Sequence, residues 1–459
     1  MKKVDNLVQI SNEKNLLEEN LQEIIELLDN DKIEDLNNLI KDLHNADIAE
    51  IIQNLDDDIR LKFILKIKTS FDPEILTYIN ESIRDEIIDL LDIKQLASNA
   101  RELDVDDAVD VVEDLEESDQ EVFLDNIPEI ERKLIKEGLT YPEDSAGRMM
   151  QREYVSMDFS WNVGEAIDFL RQNKNELPED FYEIYLLNNK KKITGTVPLG
   201  RLMGSKRSIL LEKIKNKQTR TINVFTDQEE VAYQFNKYAM VSAPVINDND
   251  EIIGSITVDD VVDVIEEERE EDILKLGGVG QADIYDAVID TTKSRFSWLL
   301  VNLLTAVVAS VVIGFFQASI EKVVALAVLM PIVASMGGNA GTQTLTVSVR
   351  ALATKELTAA NAIKIITKET FVGGINGLIF AIIIGVLASY WFQDNLLGIV
   401  IALAMIFNLL IAGMAGILIP LSLNKFKIDP ALASGVILTT ITDVFGFLSF
   451  LGLASILLI

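Results

Sequence analysis

The sequence of 459 residues contains no cysteine and a single histidine, which excludes several kinds of site. Without cysteine there are no disulfides and no thiolate metal ligands. The one histidine, His44, lies in the polar half of the chain, and we interpret it as a surface helix residue. Metal ligands in the apolar half are therefore oxygen atoms, which suit hard cations rather than zinc or copper.

Signatures of enzymatic chemistry are also missing. The sequence has no phosphate-binding glycine loop with lysine and no nucleophile paired with a base, so neither an enzyme nor an ATP-driven pump is predicted. No long apolar run occurs before about residue 296, so no signal peptide is expected. Nucleic acid is not expected as a partner.

Charge is distributed unevenly along the chain. From Lys293 onward there are nine basic and six acidic residues, whereas the preceding 292 residues carry 32 basic and 67 acidic ones, a net charge of −35. Strong acidity is typical of a solvated domain, and long apolar runs are typical of membrane spans. The chain is thus predicted to have an acidic cytoplasmic half followed by a membrane half.

The membrane half is predicted to cross the bilayer five times, since one helical span needs about 20 apolar residues. Of its nine basic residues, only Lys322 falls on the side opposite the others. This asymmetry places the N-terminus in the cytoplasm and the C-terminus outside the cell (inner) membrane. The predicted spans are 296–316, 323–349, 371–392, 396–421 and 431–459.

Two internal duplications organise the acidic half. Residues 18–137 carry Leu and Ile at helical spacing, and LHNADIAEIIQNLDDD at 43 matches LDVDDAVDVVEDLEES at 103, which predicts an all-α superhelical repeat array. The alternative is chance similarity between amphipathic helices. Further along, IYLLNNKKKITGTVPLGRLM from Ile184 aligns with APVINDNDEIIGSITVDDVV from Ala243, 59 residues later, each predicting strand, turn, strand and helix. This unit resembles a cystathionine-β-synthase-type (CBS) domain pair, with GSITVDDV (254–261) similar to the end of a CBS motif.

Asp443 is the most informative residue of the membrane half, because it is the only charged residue after Ala431. An ionised carboxylate inside an apolar helix costs several kcal/mol unless it faces water or a cation. Thr439 and Gly435 precede it on the same helical face, so this stripe can line a pore. The alternative is a structural Asp that hydrogen-bonds to a neighbouring helix. One carboxylate is too little charge for a divalent ion, so we predict a homodimer with the pore at or near its interface.

A second span, PIVASMGGNAGTQTLTVSVRALA (331–353), carries residues that weaken a continuous helix. They permit close approach or unwinding, which a membrane tolerates where protein or a wet cavity satisfies the freed backbone groups. We expect this span to bend beside the pore and to pack its glycines against the last helix; the alternative is small-residue packing without pore lining. The proposed pore-shaping residues are Pro331, Gly337, Gly338, Asn339, Gly341 and Gln343.

Together these features resemble the MgtE family of magnesium channels from end to end. The resemblance is carried by GGNAGTQ (337–343), RALA (350–353), DPALASGVILTTITDV (429–444) and EDSAGRMM (143–150). It implies a multidomain membrane protein with an all-α superhelical N-terminal domain, an α/β CBS-domain pair, a connecting (plug) helix and a five-helix transmembrane domain. The corresponding boundaries are 1–139 for the acidic helical-repeat domain, 140–203 and 204–271 for the two CBS motifs, 272–292 for the connecting helix and 293–459 for the transmembrane domain.

The resemblance also implies a function and a set of ligands. Mg²⁺ would enter the cytoplasm through a channel-like pore, with Asp443 as ligand and Thr439 and Gly435 offering backbone carbonyls, although some relatives carry a bulkier polar residue at the place of Gly435. Cytosolic Mg²⁺ would close the pore by bridging acids of the soluble half, and ATP could bind the CBS pair. Ala239 stands where an acid might be expected. The implied sensor acids are Asp106, Asp110, Asp227, Glu229, Asp260, Asp263, Glu271 and Asp272; for each alone, a solvated surface charge is the alternative.

Coupling between the two halves is assigned to residues 276–296, which begin with a glycine hinge and continue as a helix into the first span. Their acids Asp283, Asp286 and Asp290 could also sense cations. A short amphipathic stretch, Thr358 to Thr370, is expected to lie at the inner membrane interface. Two other functions stay open: a secondary transporter of Mg²⁺, Mn²⁺ or Co²⁺ coupled to another ion, and a membrane-anchored nucleotide sensor.

Overall fold

The computed structural model of the chain describes residues 17, 19–100, 103–178, 181–279 and 288–458, with the side chains at positions 81, 290 and 433 left out. The chain divides between Glu266 and Glu267 into two compact units. Within the described residues, the first unit contains short helices followed by two small sheets, and the second contains five long apolar helices.

The N-terminal part is a stack of short amphipathic helices around one apolar core, as predicted. The two copies of the 60-residue repeat bury equivalent positions: Ile48, Ile51 and Ile52 of the first correspond to Ala108, Val111 and Val112 of the second, and all six are buried. His44 is exposed and begins a helix, where its Nδ1 accepts the Ala46 N–H at 3.1 Å. After helical residues 19–29, the helices are α1 (Ile33–Lys41), α2 (Asn45–Asn54), α3 (Asp57–Ile67), a 3₁₀ turn (Pro73–Tyr78), α4 (Glu81–Leu90), α5 (Ile93–Asn99), α6 (Val105–Glu113), α7 (Glu117–Asn126) and α8 (Glu129–Gly138).

The next part consists of two three-stranded sheets with the same order and pairing. In each, the first strand pairs in parallel with the second, and the second pairs antiparallel with the third. Tyr185 faces Thr196 in one sheet as Pro244 faces Ser255 in the other, so the 59-residue duplication extends to the strand register. The elements are β1 (Ser156–Asp158), α9 (Val163–Gln172), β2 (Glu183–Leu187), β3 (Ile193–Pro198), α10 (Leu199–Met203), α11 (Leu211–Ile214), β4 (Ile222–Asn223), α12 (Gln228–Tyr238), β5 (Ser242–Ile246), β6 (Ile252–Thr257) and α13 (Val258–Leu276).

The predicted boundary between 271 and 272 falls inside helix α13, which continues to the glycine hinge expected after residue 276. After Leu276 the chain turns at Gly277 and Gly278, where a φ of +68° at Gly278 suits a residue without Cβ. Asp283 and Asp286 of the predicted connecting helix lie outside the described residues, as does the side chain of Asp290. The helix that enters the first span begins by Val288.

Five helices of the second unit have the length and hydropathy to cross a membrane. The amphipathic stretch predicted before the third span is continuous with it, because residues 362–370 are the first turns of the spanning helix itself. Glycines let this helix approach its successor closely, since a Cβ at Gly373 would lie 2.5 Å from the Leu409 carbonyl oxygen. The helices are α14 (Val288–Gly314), a short unpredicted α15 (Gln317–Lys322), α16 (Ala325–Ala353), α17 (Ala362–Phe392), α18 (Asn395–Lys425) and α19 (Pro430–Leu457).

Candidate ion pathway and acidic cluster

Asp443 lies in the middle of α19 and is partly buried. Within the part of the chain that the structure describes, its carboxylate makes no hydrogen bond or ion pair. The neighbouring hydroxyls turn onto the helix backbone instead: the Thr439 Oγ1 donates to the Gly435 carbonyl at 3.1 Å, and the Thr442 Oγ1 donates to the Thr439 carbonyl at 3.1 Å. The alternative of a structural Asp, bonded to a neighbouring helix, therefore has no support among the described contacts.

Gly435 lies two helical turns before Asp443, next to the end of α13. A Cβ placed on Gly435 would lie 4.0 Å from the Leu276 carbonyl oxygen and would meet nothing closer. Leu276 itself packs against a small apolar cluster that includes Ala431 and Leu438 of α19. The beginning of the predicted pore stripe is thus adjacent to the last residue of α13.

Ion pairs strengthen this junction between α13 and α19. The Lys275 Nζ lies 2.8 Å from a carboxylate oxygen of Asp429 and 2.5 Å from one of Glu271. Burial opposes the charge of Lys275, but these two hydrogen-bonded carboxylates hold its pKa above the usual value. Burial and the negative charge of Asp429 raise the pKa of Asp272. Asp429 also begins α19 by accepting the Ala431 N–H at 2.8 Å, a role the sequence had not indicated.

The second span does not unwind: α16 is one continuous helix that contains Pro331. Its glycines serve close packing instead. A Cβ on Gly337 would clash with the Asn408 amide, and one on Gly341 would lie 2.9 Å from the Leu438 Cδ1 of α19, whereas Gly338 faces open space. The glycine packing against the last helix that we expected is therefore present at Gly341.

The opposite face of α16 is polar and exposed on this chain. Asn339 and Gln343 lie one turn apart on it, and the Asn339 Nδ2 donates to the Ser335 Oγ at 3.4 Å. Exposed amides are costly against lipid, so such a face suits a water-filled path or a second protein surface. Packing and pore lining are thus not exclusive for this helix, because they use different faces.

Asn408 of α18 is a polar residue of the membrane half that the sequence analysis missed. It is fully buried, its Nδ2 donates to the Val333 carbonyl of α16 at 2.8 Å, and its Oδ1 has no partner among the described residues. A Cβ on Gly446, three residues after Asp443, would lie 2.8 Å from the same Nδ2. Asn408 therefore joins three helices near Asp443. A single Asn in an apolar run was the signal available in the sequence.

In the first unit, carboxylates from α6 and α13 come together. Asp106 is buried, and its Oδ1 has no hydrogen-bond partner in the described residues. Burial, followed by the charge of Asp260, raises its pKa well above the usual value, and burial is also the main cause that raises the pKa of Asp107 and of Asp260 to about 7. The pKa of Asp263 is raised by burial and by Asp259.

This acidic cluster, defined as Asp104, Asp106, Asp107, Asp259, Asp260 and Asp263, contains three of the eight predicted sensor acids. The sequence analysis missed Asp104, Asp107 and Asp259, although DVDD and VDD show them. The Thr257 hydroxyl donates a hydrogen bond to the Asp260 carboxylate at 2.9 Å, which offsets part of the rise that burial causes in the pKa of Asp260. In the described residues, no group of three or more acidic or His side chains is close enough to enclose a metal ion.

Asp110, on the same helix as Asp106, is next to the acidic cluster, because its negative charge helps to raise the pKa of Asp107. Its side chain is partly accessible, but burial among its neighbours is the main cause that raises its own pKa to about 7, with Arg84 opposing the rise. The remaining predicted sensor acids lie elsewhere. Asp227 begins α12 by accepting the Glu229 N–H at 3.0 Å, and Glu229 is exposed. Ala239 ends the same helix in the left-handed conformation, with φ 49°. Glu271 and Asp272 belong to the junction around Lys275.

Family models match three parts of the chain. A model described as "Divalent cation transporter" matches residues 330–453, "MgtE intracellular N domain" matches residues 43–144, and "CBS domain" matches residues 211–267. These matches confirm the helical N-terminal domain, the CBS fold and the membrane domain.

Two known proteins that are similar to nearly the whole chain are both described as magnesium transporters. "Magnesium transporter MgtE" of Thermus thermophilus is 30% identical over 92% of this chain and 95% of its own length, and that of Bacillus subtilis is 28% identical over 94% and 96%. A solved structure described as "Crystal structure of the soluble part of a magnesium transporter" is 26% identical, covers 55% of this chain and 99% of its own, and has a TM-score of 0.47.

Proposed function

The chain belongs to the MgtE family of magnesium transporters, and from this premise we propose that it is a channel-like pore that admits Mg²⁺ to the cytoplasm down its electrochemical gradient. The observation that carries the proposal is the Asp443 carboxylate, which lies inside an apolar helix and is unpaired among the described residues. An intramembrane acid of this kind marks an ion path by default. Mg²⁺ keeps several waters and needs only one or two carboxylates, so oxygen ligands on a hydrated ion suffice.

The proposed assembly is a homodimer, with the N-termini in the cytoplasm and the pore near the two-fold axis. A second copy would supply a second Asp443 carboxylate and double the charge available to a divalent cation. The exposed polar face of α16, with Asn339 and Gln343, would then border water or the partner rather than lipid. A two-fold arrangement thus satisfies both features at once.

We propose that cytosolic Mg²⁺ closes this pore through the acidic cluster. Carboxylates with raised pKa values repel one another when ionised, and a hydrated divalent cation would relieve that repulsion and bring α6 and α13 together. Helix α13 carries both Asp260 and Lys275, so it can transmit the closure along its length.

Flux into proteoliposomes tests the pore. Asp443→Asn removes the charge with little change of shape, and we expect Mg²⁺ uptake to fall by at least about tenfold, equivalent to about 1.4 kcal/mol of lost ion stabilisation. The matched control is Asp394→Asn, at the start of α18, where the side-chain oxygen can still accept the Leu396 and Leu397 N–H groups. Wild-type uptake in Asp443→Asn would refute the pore assignment. Uptake that requires a second ion gradient, rather than the membrane potential, would establish the coupled carrier instead.

Closure is tested in the same vesicles with Mg²⁺ on the cytoplasmic side. We expect internal Mg²⁺ to suppress uptake, and charge-removing variants of Asp106 and Asp260 to weaken that suppression without lowering maximal uptake. ATP, which the family resemblance allows at the CBS pair, is added as a separate arm. If ATP alone controls flux and Mg²⁺ does not, the proposed regulation is wrong.

A further inference from the structure

An apolar groove of about 480 Å³ runs between α18 and α19. Among the described side chains that line it, only Ser422 is polar. In a membrane protein, an open apolar groove of this size is filled by an acyl chain or by another protein. Its lining includes Met414, Leu418 and Ser422 of α18, Phe426 directly after this helix, and Ile437 and Ile441 of α19.

The groove opens on the face of α19 that points away from Asp443. Ile441 and Phe445 line it, and each is two positions from Asp443, which is about 200° around a helix of 3.6 residues per turn. If Asp443 faces the two-fold axis, as the proposed function requires, the groove faces outward to lipid. The choice of occupant therefore rests on the proposed pore.

Positive charge lies at one end of the groove. Lys425 and Lys427 follow Ser422 and flank Phe426, and both lysines are exposed. In the described residues neither makes an ion pair, since the nearby Asp429 pairs with Lys275. Basic side chains next to an apolar crevice, on the side proposed as cytoplasmic, match the headgroup and acyl chain of an anionic phospholipid.

We propose that this groove is a binding site for an anionic phospholipid, with an acyl chain along α18 and α19 and the headgroup phosphate at Lys425 and Lys427. A second copy would bring its own pair of lysines to the same end of the groove, and like charges would oppose that contact. The two lysines provide the preference for anionic lipid, and the apolar lining provides the space for the chain.

The test uses the full-length chain, extracted from bilayers of equal phosphatidylglycerol and phosphatidylcholine and examined by native mass spectrometry. Lys425→Gln with Lys427→Gln removes the headgroup contacts, and we expect about a 30-fold loss of phosphatidylglycerol affinity, or about 2 kcal/mol at about 1 kcal/mol per basic residue. Lys322→Gln with Lys364→Gln removes the same charge elsewhere and should retain the lipid.

A second variant tests the groove itself. Ser422→Trp fills its end and should displace the lipid, whereas Val386→Trp, exposed on α17 outside the groove, should not. Unchanged phosphatidylglycerol retention in both the lysine and Ser422 variants, or equal retention of phosphatidylcholine by the wild type, would overturn the proposal. The proposal would also be overturned if the Ser422→Trp chain became monomeric and kept its lipid, because the groove would then be an interface between copies. Flux through Asp443→Asn is measured separately, since lipid retention needs no ion conduction.

Discussion

Replacing Asp106 by asparagine is expected to stabilise the acidic cluster in the absence of Mg²⁺ and to reduce its response to Mg²⁺. The buried Asp106 Oδ1 has no partner in the described residues, and Asp260 is its strongest charged neighbour. Burial and neighbouring charges raise the pKa of Asp107 and Asp260 from 3.8 to about 7. Since the folded state then binds more protons than the unfolded state, the contribution of these two groups to stability is fully present below about pH 4 and is lost as the pH rises through about 7.

The size of the effect is set by the one charge that the substitution removes. Burial, the main cause of the raised pKa values, is unchanged by Asp106→Asn, whereas the repulsion between Asp106 and Asp260 is lost. Asp260 keeps some solvent contact, which screens this repulsion to about 1–2 kcal/mol. The amide can also donate a hydrogen bond to a neighbouring carboxylate, so the local unfolding free energy should rise by about that amount.

Hydrogen exchange of the full chain at about pH 7.5, with and without Mg²⁺, measures this local free energy in peptides from α6 and α13. We expect wild-type protection to increase with Mg²⁺, and Asp106→Asn to start higher and gain less. Glu121→Gln, an exposed charge removal on α7, is the control and should behave as wild type. Lower protection of Asp106→Asn without Mg²⁺, or an undiminished Mg²⁺ response, would refute the reasoning.

Two further substitutions test the membrane half. Lys275→Met removes the ion pair to Asp429. Because such a partly exposed pair is worth up to about 1 kcal/mol, we expect closure by cytosolic Mg²⁺ to need up to about fivefold more ion. Lys275→Arg should restore the wild-type closure curve, and an unchanged curve in Lys275→Met would contradict a role of this ion pair in closure. Gly337→Ala forces a methyl group against Asn408 and should lower the unfolding free energy by about 1–3 kcal/mol, which thermal unfolding in detergent measures. In the control, Gly338→Ala, the added methyl group meets open space and should leave the stability unchanged. Equal melting temperatures of the two variants would show that the close contact at Gly337 is unimportant.

The repeats were the most predictable part of the fold. A period of 60 residues with matching apolar positions determined which side chains are buried, because each helix must hide one face against its neighbours. The 59-residue duplication likewise predicted two equivalent strand pairs, and the structure extends this equivalence to the strand register, as the partners of Tyr185 and Pro244 show. Length and hydropathy predicted five spans, and all five are present, although the first and third helices begin earlier than the predicted spans.

The acidic half could be predicted only in part. The sequence shows many carboxylates, but it does not show which of them approach each other, because Asp106 and Asp260 are more than 150 residues apart. Asp227 and Asp260 look alike in the sequence, yet the first begins a helix at the surface and the second joins a cluster with raised pKa values. An aspartate can either cap a helix or join a cluster with residues far away in the chain, so the residue type alone does not tell these two roles apart.

By itself, the sequence determined the class of the protein, its two repeats, the number of spans and the single carboxylate inside the last one, because composition and periodicity dictate which surfaces must be buried in water or in lipid. Only the tertiary structure decided that α16 stays one continuous helix, that its Gly337 packs against Asn408, and that Lys275 pairs with Asp429. Those contacts depend on how helices distant in the chain approach one another, which no local pattern specifies.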